Sequence, residues 1–307
     1  MKPLSVVGTG RVLPGLVLLA CAAHATAAPA ASDASDTAMH SGREGAEPPA
    51  AHLRDRGTGV VTSVPGAYVR EGELLFYSWV AYSGDHDIQY DPPEFGFPSE
   101  IEYIGRYQAR EVDAWVAYGL RENLALELQV AGMRASLQKS ADDATGMPAE
   151  LKESGLGDVR SRLNWRILAE SERRPEIYTF ATMAFPHDKK KALTGTNDWL
   201  LNLGIGAIRG YRWGTISLRS SMEFDLSSAS VGDWGEVTLE YFKRFSPRMS
   251  VVGALILLQG DEGSVFGEFQ YQPTQNVVVK LGGAQALTAN GIDWSAQAGV
   301  LFKFAGR

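Results

Sequence analysis

Three arginines share one alternation phase near the middle of the chain: Arg160, Arg162 and Arg166. They lie within the stretch GLGDVRSRLNWRI, which covers residues 155–167, and the residues between them are mostly small or apolar. Guanidinium groups bind carboxylates and phosphates through paired hydrogen bonds, and they also form ion pairs. Because a β-strand sends alternate side chains to opposite faces, the stretch predicts a strand with one basic face and one apolar face.

Opposite charges occur on the same phase of several later segments that show this alternation. We predict that nine charged side chains line one interior: Arg160, Arg162, Arg166, Arg219, Glu223, Glu236, Glu240, Arg244 and Glu268. Charges in a low-dielectric interior are costly unless they are paired, so many of these should form pairs. Two interpretations stay open. The charges either rigidify the interior through salt bridges or select a solute along a polar path.

The residues that could support catalysis or metal binding are few. A hydrolase needs a nucleophile, a histidine and an orienting acid, and beyond the amino-terminal region the histidines are His86 and His187, both in expected loops. Calcium requires six or more converging oxygens. The candidate aspartates lack EF-hand spacing: Asp85, Asp87 and Asp91 in one loop, Asp142 and Asp143 in another. We therefore predict no enzyme, no catalytic residue, no cofactor and no metal site.

The alternation of apolar and polar residues recurs along the chain and predicts about twelve strands. Most are near the 9–11 residues that a tilted membrane strand needs. The predicted fold class is all-β, a transmembrane antiparallel up-and-down β-barrel of the outer-membrane type. In such a barrel the apolar phase faces lipid, so Leu126, Leu218 and Leu239 should face hydrocarbon, while the charged phase faces the lumen.

The connections between the predicted strands alternate in length. The longer, polar connections are 83–109, 137–154, 187–197, 227–232 and 259–262, and the shorter ones are 121–122, 169–175, 212–214, 247–248 and 273–276. Outer-membrane barrels have long outer loops and short periplasmic turns. An even number of strands then places both termini in the periplasm. The alternative, a soluble β-sandwich or secreted β-rich enzyme, does not predict this asymmetry.

The amino terminus has the features of a secretory signal peptide. Lys2 and Arg11 precede an apolar core over Val12–Ala23, and Ala25-Thr26-Ala27 supplies small residues for cleavage. A transmembrane anchor is the alternative, although the apolar run is short for one. Acylation of Cys21, as in a lipoprotein, also stays open.

Three regions follow from this pattern. Residues 1–27 are the signal peptide, residues 28–66 a disordered periplasmic lead, and residues 67–307 the transmembrane β-barrel. The lead is rich in Ala, Ser, Asp, Gly and Pro, a composition that cannot bury a core.

Overall composition excludes other classes. The formal net charge is -7 and no basic run suggests nucleic-acid binding. A mean hydropathy of -0.13 argues against a bundle of membrane helices. The expected partners are outer-membrane lipid, a small-molecule solute that the sequence does not name, and the barrel assembly machinery.

Three short motifs resemble those of the family of outer-membrane transporters named after the meta-pathway of phenol degradation. They are Gly155-Leu156-Gly157-Asp158 opening an arginine-bearing strand, Phe185-Pro186 closing the next, and Gly195-Thr196-Asn197-Asp198-Trp199 entering a glycine-spaced strand. The resemblance covers roughly residues 70–304. It implies an outer-membrane barrel that passes small, hydrophobic or aromatic molecules, as a passive channel or uptake transporter. The alternative function is a non-conducting structural or interaction barrel of the outer membrane.

The carboxyl terminus departs from the usual barrel pattern. Barrel proteins commonly end on an aromatic residue that the assembly machinery reads, whereas here Ala305-Gly306-Arg307 follow Phe304. We expect this departure to affect assembly more than the fold.

Overall fold

The computed structural model describes residues 55–64, 66–187, 192–196, 198–227, 232–258, 262–288 and 292–305. Two short strands come first, β1 (Val60–Val61) and β2 (Tyr68–Val69). The longer strands are β3 (Leu74–Tyr90), β4 (Tyr103–Arg121), β5 (Leu124–Gln138), β6 (Glu150–Leu156), β7 (Val159–Leu168), β8 (Glu176–Phe185), β9 (Leu200–Tyr211), β10 (Gly214–Asp225), β11 (Asp233–Ser246), β12 (Met249–Leu258), β13 (Glu262–Thr274), β14 (Val277–Ala286) and β15 (Trp294–Phe304). Among the described residues, no helix has the length and apolar character needed to cross a bilayer.

The strands from β3 to β15 form one closed antiparallel barrel. Apart from β6 and β7, each pairs with its neighbour in the chain, and β15 closes the barrel by pairing with β3 from Trp294↔Gly84 to Phe304↔Leu74. β6 and β7 share one place in the wall because both pair with β5. The barrel therefore has twelve strands, and the predicted fold class is confirmed.

The wall has the predicted apolar outer face and polar inner face. On β4, Val112 is 59% exposed whereas the neighbouring Asp113 is 0% exposed. Leu126, Leu218 and Leu239 are all exposed, as a lipid-facing position requires. Large apolar side chains on an outer surface of this extent indicate a hydrocarbon solvent.

Two predicted loops are shorter than expected because the strands run further. β3 continues to Tyr90 and β4 begins at Tyr103, so much of the expected loop 83–109 is paired strand. A register shift between Asp85 and Ile88 accommodates the polar run that resembled a loop. The connection expected over 137–154 is likewise reduced, since β5 ends at Gln138 and β6 begins at Glu150.

The stretch predicted as one strand over 155–168 is broken at Gly157 and Asp158. Gly157 donates its backbone N–H to the carbonyl of Ala131, and an added Cβ would lie 3.1 Å from the sulfur of Met133. The Asp158 carboxylate accepts hydrogen bonds from the backbone and hydroxyl of Thr196. The Gly-Leu-Gly-Asp motif therefore forms a kink that holds the 192–196 segment over the wall.

The expected disordered lead over 28–66 is wrong at its carboxyl end. Residues 1–54, including the predicted signal peptide, lie outside the described residues. From Asp55 onward, however, most of the described residues up to Val69 are buried, and β1 pairs with β2 as Val60↔Val69 and Val61↔Tyr68. Val60, Val61 and Val64 are the apolar side chains that this short segment buries. The average composition of residues 28–66 does not indicate them.

On β11, the cost of placing an arginine on the lipid-facing side should depend on how deep in the membrane the substituted position lies. Leu239 lies near the middle of that strand and is 47% exposed, while Phe245 shares its phase near the end and is 68% exposed. Leu239→Arg should lower the free energy of unfolding in lipid vesicles by about 2–4 kcal/mol, and Phe245→Arg by about 0–1 kcal/mol. Urea titration followed by tryptophan fluorescence measures both values. Equal losses at the two positions would contradict a membrane-embedded wall.

Candidate functional site

A hairpin formed by the described residues between 55 and 72, here called the plug, lies inside the barrel. β1 and β2 form a two-stranded sheet of their own, and the ladder of wall strands does not include them. The plug meets the wall backbone near its end, where Gly72 donates to the carbonyl of Gly119. It is therefore an insert in the lumen and no part of the hydrogen-bonded cylinder.

The plug packs against opposite parts of the wall through apolar side chains. Val60, Val64, Ala67 and Val69 belong to a core cluster with wall residues that include Tyr77, Trp79 and Trp115. Val61 packs on the other side with Tyr178, Phe180 and Ile208 of β8 and β9. The hairpin thus spans the lumen and closes it at the level of these residues.

One buried arginine anchors the plug near the short turns of the barrel. Arg56 lies 3.2 Å from Glu170 and 2.8 Å from Glu176, and its guanidinium sits over the ring of Tyr68. Both carboxylates also face wall arginines at longer range: Arg209 at 3.8 Å from Glu170 and Arg166 at 3.9 Å from Glu176. Without the plug, these two wall arginines would therefore still partly neutralise both acids.

The tip of the plug is held by a single wall carboxylate, Glu127. It accepts hydrogen bonds from the Ser63 backbone at 2.8 Å, the Ser63 hydroxyl, the Trp115 indole at 3.0 Å and the Asn164 amide. Four donors on one carboxylate satisfy most of its acceptor capacity. Glu127 thus links the plug to β4 and β7.

A cavity of about 60 Å³ lies beside the plug tip. Ser63 forms part of its lining, and the wall contributes polar and aromatic side chains: Trp115, Glu127, Gln129, Arg160, Arg162, Phe180, Thr182, Asn202, Ser221 and Glu236. The lining carries two positive and two negative charges. What the cavity can bind therefore depends on which of these charges already have hydrogen-bond partners.

The two acids of the lining are already engaged. Glu127 has the four donors described above, and Glu236 accepts from Arg219 at 2.7 Å and from the Thr238 hydroxyl. Arg162 donates from Nε to Asn164 at 2.9 Å, but among the described residues its Nη2 meets no hydrogen-bond acceptor.

Arg162 is fixed in place by an aromatic ring. Its guanidinium carbon lies 3.7 Å from the centroid of the Phe180 ring. Phe180 in turn lies flat against β9, where a Cβ added to Gly204 would come within 2.1 Å of the ring. The glycine therefore allows the ring to lie along the wall, and the arginine is held beside the cavity by an aromatic surface.

The nine charged side chains of the predicted set are buried or partly buried, and they lie in different parts of the lumen. Arg160, Arg162 and Glu236 line the cavity, Arg219 pairs with Glu236, and Glu223 acts electrostatically on Arg160. Arg166 instead binds the plug, donating to the carbonyl of Gly59 at 2.5 Å.

The remaining members of the set lie elsewhere in the lumen. Glu240 borders a second, smaller void of about 10 Å³ next to the plug. Arg244 donates its backbone N–H to Asp55 of the plug. Glu268 lies 3.8 Å from the buried Lys280.

The loop histidines and aspartates that the structure describes make local contacts. His86 lies 2.9 Å from Asp293 and is exposed, and His187 is also exposed. Asp143 accepts from the hydroxyl of Tyr90, and Asp85 accepts from the backbone of Asp87. In the part of the chain that the structure describes, no three His, Cys, Asp or Glu side chains converge on a metal position.

Sequence reasoning missed the plug, and with it Arg56 and Ser63. A usable signal was present, because Val60-Val61 and Tyr68-Val69 are β-forming pairs flanking Pro65-Gly66, a turn dipeptide. Glu170 and Glu176 were missed because their ion-pair partner lies more than a hundred residues away in sequence, and alternation within one strand cannot indicate such a partner.

Comparison with known proteins shows likeness in fold. The chain is similar to an outer membrane channel from Pseudomonas putida F1, with a TM-score of 0.56, 14% identity, and coverage of 84% of this chain and 100% of that one. It is also similar to the KdgM porin (TM-score 0.49, 8% identity, 75% and 99% covered) and to the translocator domain of the autotransporter NalP from Neisseria meningitidis (TM-score 0.46, 10% identity, 76% and 88% covered). No protein-family model matches the chain, and no curated protein matches it.

The Glu127 cluster predicts that one wall residue controls the stability of the plug. Glu127→Gln keeps the shape of the side chain but removes a charged acceptor from both Ser63 donors. The free energy that holds the plug tip should fall by about 2 kcal/mol, and amide hydrogen exchange at residues 60–64 should accelerate roughly 30-fold.

Glu268→Gln is the matched control, since the side-chain contacts of Glu268 include Gln270, Gln297 and Lys280 of the wall. It should leave exchange in the plug unchanged. Mass spectrometry of the exchanged peptides separates the two variants, and equal acceleration in both would show that Glu127 does not hold the plug.

Proposed function

We propose that the chain is an outer-membrane channel that passes small molecules through its lumen, either passively or as an uptake transporter. One observation carries the proposal: the lumen is closed by a hairpin that lies outside the hydrogen-bonded wall. Because the twelve wall strands pair without it, its displacement would leave the barrel intact. A barrel with a purely mechanical function has no need of a closure that can be separated from its wall.

The contacts of the plug support the same proposal. Ion pairs and side-chain hydrogen bonds anchor it at Arg56 and Ser63, and its backbone meets the wall near Gly72 and Gly119. Contacts of this type can break and re-form without unpairing a strand. The lumen wall behind the plug is polar and charged, as the path of a hydrophilic or amphipathic solute would be.

The family resemblance adds a class of solute to this proposal. If the chain is a member of the transporter family named after the meta-pathway of phenol degradation, its solute is small and hydrophobic or aromatic. Trp115 and Phe180 in the cavity lining agree with such a solute. The charges beside them require that it also carry a polar group.

The second candidate function is a non-conducting structural or interaction barrel. The apolar packing of Val60, Val64 and Val69 on the wall favours it, since burial of this kind stabilises a closed lumen. The two functions differ in one measurable property, because only a channel passes ions or solutes when the plug is weakened.

Weakening the anchor should open the channel. In Arg56→Gln the plug loses its ion pairs with Glu170 and Glu176 but keeps that of Asp55 with Lys243, while Glu170 and Glu176 retain Arg209 and Arg166 on the wall. We expect planar-bilayer recordings of the refolded full chain to show at least about a tenfold higher open probability in this variant, because removal of one partner from a buried ion pair costs several kcal/mol.

Arg70→Gln is the matched control, since Arg70 lies in the same segment but is 44% exposed and pairs with Glu73 at 3.7 Å. It should behave like the unmodified chain. If neither the unmodified chain nor Arg56→Gln conducts ions or admits sugars into liposomes, the channel proposal is overturned and the structural barrel remains.

We further propose that the barrel lies in the outer membrane with both termini in the periplasm and that the barrel assembly machinery inserts it. The site at Lys189–Lys191, in an expected outer loop, lies outside the described residues. A protease site inserted after Ala144, between β5 and β6, tests the same side of the barrel. It should be cleaved on intact cells, whereas a site after Arg173, between β7 and β8, should not. Cleavage after Arg173 alone would invert the orientation.

A further inference from the structure

In the cavity beside the plug tip, two lining side chains have a buried polar atom without a hydrogen-bond partner among the described residues: the donor Nη2 of Arg162, which is charged, and the neutral acceptor Oδ1 of Asn202. Its two acids, Glu127 and Glu236, already accept hydrogen bonds from donors that belong to the protein, and Glu236 also forms an ion pair with Arg219. Arg162, in contrast, has a single side-chain hydrogen bond, and its Nη2 donates to no acceptor among the described residues. A partly buried guanidinium with a donor that has no acceptor favours an anion as its ligand.

The volume and the lining of the cavity favour a small carboxylate over other anions. Its volume is about 60 Å³, and a cavity needs about 10–15 Å³ to hold one water, so it has room for about four non-hydrogen atoms. The planar guanidinium of Arg162 matches the two oxygens of a carboxylate better than it matches a spherical ion. The rings of Trp115 and Phe180 supply an apolar surface for the carbon attached to that carboxylate.

We infer that this cavity binds the carboxylate of a small organic acid, with Arg162 as its principal ligand and Arg160 as the second positive charge of the lining. The inference rests on the proposed channel function, since it names the class of solute. Acetate has four non-hydrogen atoms and fills the cavity by itself. A larger acid places its head group there and its remainder in the lumen.

Acetate and its neutral isostere acetamide test the inference directly. Saturation-transfer NMR titration of the refolded full chain in detergent measures both ligands without any requirement for transport. Acetate should bind at least about tenfold more tightly than acetamide, because one charged hydrogen-bonded contact distinguishes them. Equal binding of the two would overturn the inference, as would displacement of acetate by an equal concentration of chloride.

Arg162→Gln should weaken acetate binding by at least about tenfold. The acetate affinity of Arg162→Lys should lie between those of the unmodified chain and Arg162→Gln, since lysine keeps the charge but loses the planar guanidinium group. Arg110→Gln is the matched control: Arg110 also lies over an aromatic ring, Tyr82 at 5.5 Å, but it is exposed on the outer phase of β4. Heat-modifiable migration on gels confirms that each variant is folded.

The outcomes separate this inference from the channel proposal. A conducting barrel whose acetate affinity is the same in Arg162→Gln and in the unmodified chain overturns the carboxylate site alone. A barrel that binds acetate through Arg162 but passes no ion or solute, even in Arg56→Gln, confirms the site and overturns the channel.

Discussion

The pairing of β15 with β3 is the constraint on which the rest of the structure depends. In hydrocarbon, every backbone N–H and C=O must find a partner within the protein, and a sheet can meet this requirement only if it closes on itself. Closure then fixes which side chains face inward, because the alternation of each strand is set by its register. The charges of the lumen are therefore a consequence of the same register that sends Leu218 and Leu239 to the outside.

Buried charges inside such a wall require partners, and the partners come from two sources. Some are on the wall itself, as where Arg219 meets Glu236. Others come from the plug, whose Arg56 and Ser63 meet acids on β7–β8 and β5. The plug thus fills space and also supplies charge and hydrogen bonds that the wall lacks. This explains why a segment of mixed composition can lie at the centre of a polar lumen.

The sequence predicts the wall well and the lumen poorly, for physical reasons. Alternation is a local property, so the phases of β4, β5, β10 and β11 can be read from consecutive residues. The contacts of Arg56 with Glu170 and Glu176 join residues more than a hundred positions apart, and no local pattern indicates them. Arg160, Arg162 and Arg166 were grouped because they share one phase of a single strand. The structure divides them, since Arg166 faces the plug whereas Arg162 faces the cavity.

The plug and the carboxylate site are coupled through Glu127. With the plug in place, the donors of Ser63 satisfy Glu127, so Arg162 is left with an open donor that an anion can use. If the plug leaves, Glu127 loses those donors and becomes a competitor for Arg162, on which it already acts electrostatically. A carboxylate should then bind the plugged state more tightly than the open one. By linkage the anion stabilises the plug, and opening weakens the hold on the anion. A solute bound behind the closed plug would therefore be released as the lumen opens.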